Sequence, residues 1–174
     1  MRAAFTPPNR DPRPTSMSEL HASERLIVWS FRRWVLGLLE NRGEHWSLVW
    51  NEFTRQFGAH QGKDALSGFA ALMKGVQCHA RRTIHHHQPC CPCLGDDEVC
   101  VLSLVAACQS RELRRARFIA EWLVEPDGVG ELLQAGSRLA EMMRQHALIL
   151  PERAGSMAHG TAATRPQTTS VTVH

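Results

Sequence analysis

From Ser18 to Leu148 the apolar residues recur every three or four positions, with almost no alternation of period two. That spacing lines one face of an α-helix and cannot line one face of a strand, so it restricts the chain to helical architectures. No Asn-Gly or Asp-Gly hairpin turn interrupts it. Ile27, Phe31, Trp34 and Leu38 share a face, which predicts a helix over 18–41 with Ser18 as N-cap and Gly43 beyond its end. Trp46, Val49, Trp50, Phe53 and Phe57 predict a second over 44–57, with all four aromatics in the core. Leu66, Phe69, Met73 and Val76 predict a third over 63–81.

After a break the run VCVLSLVAAC predicts a fourth helix, from Asp96 or Asp97 to Gln109. It is apolar all round, so it should be the central, most buried one. Its Val-rich composition also suits a buried strand, but the acidic caps and Ala106–Ala107 favour helix. A fifth helix is predicted over 110–124 and a sixth over 127–148, with Val129, Leu132, Leu139 and Met143 inward. The fold class is therefore all-α, a compact bundle of about six helices within 18–150. Residues 1–17 hold four prolines among polar residues, and 151–174 are rich in Gly, Ala, Thr and Ser. Both ends are expected to be disordered.

Charge narrows the partners. The chain carries 20 Lys+Arg against 17 Asp+Glu, but residues 18–150 hold 15 of each. A neutral body makes nucleic acid an unlikely partner, because that binding neutralises several phosphates at once. No apolar run approaches the roughly 18 residues of a membrane span, and no signal-peptide core precedes Leu20. A cytoplasmic protein is expected, with its six cysteines reduced. On the fifth helix Arg111, Arg114 and Arg115 should share a solvated face, with Arg117 nearby.

The break between the third and fourth helices reads TIHHHQPCCPCLGD, over 83–96. Pro89, Pro92 and Gly95 make it a loop. Cys90 and Cys93 form a C-x2-C pair, whose turn can aim two thiolates at one metal. Cys100, in the first turn of the next helix, is the third candidate. The fourth ligand is open among His87, His85, Cys78 and His79. Zinc would take Cys90, Cys93, Cys100 and one of these, whereas an iron–sulfur cluster would prefer Cys91 or Cys78 as the fourth thiolate. Cys108 lies about 12 Å further along the helix than Cys100, at about 1.5 Å per residue, and is expected in the core. No catalytic signature such as G-x-S-x-G, H-E-x-x-H or a phosphate-binding glycine loop is present, so an enzyme is the less favoured reading. The expectation is a metal site with a structural or regulatory role exerted through a protein partner. Its alternatives are a metal-free interaction module and a small thiol redox protein.

Overall fold

A computed structural model describes residues 12–153. The first eleven residues and residues 154–174, which hold most of the two expected disordered ends, lie outside the described residues. Six α-helices pack against one another in the described part: α1 (Ala22–Glu40), α2 (Gly43–Phe57), α3 (Ala59–His79), α4 (Asp96–Gln109), α5 (Leu113–Leu123) and α6 (Val129–Gln145). Pairing of strand type there consists of isolated bridges, among them Ser16 with Cys93 and Ala80 with Val124. No described helix is long and apolar enough to cross a membrane.

α4 is the predicted central helix, not a strand. It packs on α1, α5 and α6, and Asp97 through Val105 are all buried. α3 lies between α2 and α6. Phe53 and Phe69, their ring centroids 5.5 Å apart, join α2 to α3 at the core. The inward positions of α6 are all buried, as their spacing required. The aromatic face of α2 is less complete. Phe53 and Phe57 are buried, but Trp50 is 37% exposed, and Trp46 packs its indole against Gly37 of α1. A Cβ at Gly37 would come within 2.7 Å of that ring, so the close crossing of α1 and α2 needs glycine there. Between α2 and α3 the chain turns on Gly58, at φ 78 and ψ 163, a conformation open essentially to glycine alone.

Several ends differ from the periodicity. α1 starts at Ala22, because Ser16 accepts the N–H of Ser18 at 3.2 Å and closes a 3-10 turn over Met17–Glu19 first. The cap of α1 is His21, whose N–H donates to Glu24 at 2.7 Å. Arg111 is not helical. It takes a left-handed φ of 59 in the turn between α4 and α5, so it does not share the face of Arg114 and Arg115.

The described inner parts of the two ends pack on the body. Thr15 to Met17 run beside the cysteine loop, with Met17 N–H donating to Pro92 O at 2.7 Å and Leu94 N–H to Thr15 O at 3.0 Å. Pro14 is buried. At the other end Arg153 donates to the buried Glu24 at 2.5 and 2.7 Å. Composition gives no hint of either contact, since main-chain pairing and a single ion pair leave no periodic trace.

Candidate functional site

The cysteine loop connects α3 to α4 and is shaped by three consecutive acidic residues that open α4. Each faces an arginine from elsewhere in the chain. Asp96 pairs with Arg13. Asp97 accepts both terminal nitrogens of Arg82, at 2.5 and 2.9 Å, and the N–H of His85 at 2.7 Å. Glu98 pairs with Arg32, and both side chains are wholly buried.

Arg32 is the residue around which the loop folds. Its Nε and Nη2 donate to the two carboxylate oxygens of Glu98, each at 2.8 Å. The rest of the guanidinium is spent on loop carbonyls: Gln88 at 3.2 Å, Cys91 at 2.7 Å and Cys93 at 2.5 Å. All five donors of the planar fork thus have acceptors, which is the condition under which a buried arginine is tolerable. Glu98 in turn accepts the N–H of His87 at 2.8 Å and of Gly95 at 3.0 Å. Burial alone would raise its pKa, but the Arg32 fork and these two backbone donors together outweigh burial and hold the carboxyl below its usual range. Glu98 sits at the third position of α4, so its bond to Gly95 also caps the helix. The cap residue is therefore Gly95, not Asp96 or Asp97.

Against this frame the candidate ligands are dispersed. Cys90 and Cys93 are exposed on the loop and Cys91 is half-buried. Cys78 is exposed near the end of α3. Cys100 is buried in α4, on the side of Arg82, whose charge it feels. His87 is half-buried, with Nδ1 3.4 Å from Glu98. His85 has Nδ1 3.5 Å from Asp97, and His79 lies near Asp127 and Glu131. Among the described residues no three His, Cys, Asp or Glu side chains converge as a ligand set. Cys108 is buried in the core as expected, and burial raises its thiol above the ordinary value.

Of the loop thiols, Cys91 and Cys93 influence one another: the neighbouring Cys91 thiol is the main cause that holds the Cys93 thiol above its ordinary value. The turn explains the choice: Cys91 N–H donates to Gln88 O at 2.9 Å, and Arg32 draws the Cys91 and Cys93 carbonyls onto one guanidinium.

One buried imidazole completes the site. His86, 6% exposed, has its Nε2 buried without a hydrogen-bond partner, and its Nδ1 contacts the His87 carbonyl at 3.2 Å. Burial holds its imidazole below the ordinary value. Such a group stays neutral when folded and protonates when unfolded, so its contribution falls as pH drops below the ordinary histidine value of about 6.5. Glu98 acts in the same direction further down. Its lowered carboxyl stabilises the fold at neutral pH, and that share is lost as pH falls below about 4.3, the ordinary glutamate value, and through the folded value. Urea midpoints measured from pH 7 to pH 3 should fall in two stages, and His86→Phe should remove the first. A flat profile would contradict this. No family model, no curated protein and no solved structure matches the chain.

Proposed function

We propose that the protein is a small regulatory helical protein whose loop dithiol, Cys91 with Cys93, is a reversible thiol switch read by a protein partner. The observation that supports this reading is that one buried arginine holds the carbonyls of both Cys91 and Cys93, with the Cys93 thiol raised by its Cys91 neighbour. A pinned loop keeps the thiols adjacent in the reduced state, so closing a disulfide needs little backbone movement. The oxidant is a low-molecular-weight disulfide. The Cys91 thiolate attacks one of its sulfurs, forming a mixed disulfide and releasing one small thiolate. Cys93 then gives up its proton to solvent and attacks the Cys91 sulfur, releasing the second. One disulfide is consumed and one is made, and two small thiols carry away the protons. The closed bond would alter the strip Pro92–Leu94 on which Thr15–Met17 lies, which gives the chemistry a structural consequence.

A trivalent arsenical, which needs two adjacent thiols, tests the pairing. Wild type should bind one equivalent tightly. Cys91→Ser and Cys93→Ser should each lose it, while Cys90→Ser, Cys78→Ser and Cys100→Ser keep it. Retention by both Cys91→Ser and Cys93→Ser would refute the pairing.

A zinc site is the second reading. Its support is the unpartnered Nε2 of the buried His86, a nitrogen in the neutral, ligating state beside three loop cysteines. Zinc bound at one equivalent after anaerobic purification, and lost in His86→Phe, would place this reading first.

A further inference from the structure

Three of the six exposed large apolar side chains among the described residues lie on α5. Leu113 is 71% exposed, Phe118 56% and Trp122 51%. Arg114, Phe118 and Trp122 recur every four residues and form one ridge, with exposed Glu121 alongside. The opposite side, Ala116, Ile119, Ala120 and Leu123, is buried in the bundle.

The order of charges along this helix is unfavourable by itself. Its first turn has no acidic residue and its last turn no basic one. Arg114 stands near the positive end of the helix dipole and Glu121 near the negative end, the reverse of the stabilising arrangement. Glu112 at the cap answers Arg115 at 3.6 Å, and Arg117 lies 3.8 Å from Glu121, a loose approach on an exposed surface.

We propose that this face is a twofold interface and that its occupant is a second copy of the chain. An antiparallel partner helix reverses both the charge order and the dipole. With the axis passing beside Phe118, the two Phe118 rings meet. Trp122 then lies across from the Arg114 of the other copy, a cation–π pairing. Arg82 sits 5.6 Å over the Trp122 ring within its own chain, and about half of the indole remains open to the second copy. Glu121 faces the same Arg114 of the other copy. Arg114 and Glu121 are seven residues apart, about 10.5 Å at about 1.5 Å per residue, so the two contacts repeat on either side of the axis. Each end of the ridge thus finds its complement only in a reversed copy of itself, which is the condition for a closed isologous dimer. An acidic protein partner would satisfy Arg114 but leave Glu121 facing like charge.

Sedimentation equilibrium tests this with the full chain. Wild type should show a concentration-dependent monomer–dimer equilibrium. Arg114→Glu and Glu121→Arg should each weaken it about tenfold or more, because each places like charges together at both ends of the interface. Mixed in equal amounts, the two variants should restore dimerisation as a heterodimer, since every pair is again opposite in sign. The mixture also controls for folding, because misfolded variants would not rescue each other. A wild type that stays monomeric up to its solubility limit overturns the proposal. So does dimerisation unchanged by either substitution, or a mixture no more associated than its components.

Discussion

Arg32→Met is expected to destabilise the protein by about 3–5 kcal/mol, the range for removing one partner of a buried ion pair. Met fills the space of the aliphatic stem, so the larger part of that loss does not come from packing. It comes from Glu98, which would remain wholly buried with a charge answered by the N–H groups of His87 and Gly95 and the His87 ring 3.4 Å away, with no arginine. The carbonyls of Gln88, Cys91 and Cys93 would lose their donors in the same step. Replacing both partners, Arg32→Met with Glu98→Leu, should cost less than Arg32→Met alone, because no buried charge is left uncompensated. The stability of the double variant should also lose its acid-side dependence near the carboxylate range. Urea unfolding at neutral and acid pH measures all three values. Equal stability of wild type and Arg32→Met would refute the role given to the pair.

Arg153→Met should cost about 2–4 kcal/mol by the same logic. Glu24 is 1% exposed and takes two bonds from the Arg153 guanidinium. The same guanidinium donates to Pro12 O at 3.1 Å and Glu19 O at 3.0 Å, so one residue fastens the C-terminal end to the N-terminal segment and α1. Glu24→Gln should recover part of the loss when combined with Arg153→Met, since a neutral amide is cheaper to bury than a carboxylate. A thermal midpoint of Arg153→Met within one degree of wild type would show that the contact contributes nothing. That result would return 151–153 to the loose tail the composition implied.

These residues mark where sequence reading stops. The helices were legible because their faces repeat locally, and the buried α4 was legible because its apolar run has no polar side. Arg32 and Glu98 were not. Arg32 reads as an interruption of an apolar face, and Glu98 as one of three acids at a helix start. Their meeting spans 66 positions, which no periodic pattern encodes. The one available signal was that Arg32 falls four residues from both Val28 and Leu36, on an apolar face. Thiol spacing was silent on the turn for a related reason. C-x2-C favours Cys90 with Cys93 only if the turn is free to choose, and here Arg32 chooses by drawing in the Cys91 and Cys93 carbonyls. Cys100 was placed correctly in the helix, buried near Arg82.

The central claim is that Cys91 and Cys93 act as one redox unit on a loop built to hold them together. Equilibrating the native protein in buffers of defined reduced-to-oxidised glutathione ratio, then trapping thiols and mapping peptides by mass, tests it most directly. The account predicts one reversible intramolecular disulfide between Cys91 and Cys93, formed at a single midpoint ratio, with Cys78, Cys100 and Cys108 still reduced. A disulfide between Cys90 and Cys93, or all loop thiols carrying separate glutathione adducts without an internal bond, would contradict it.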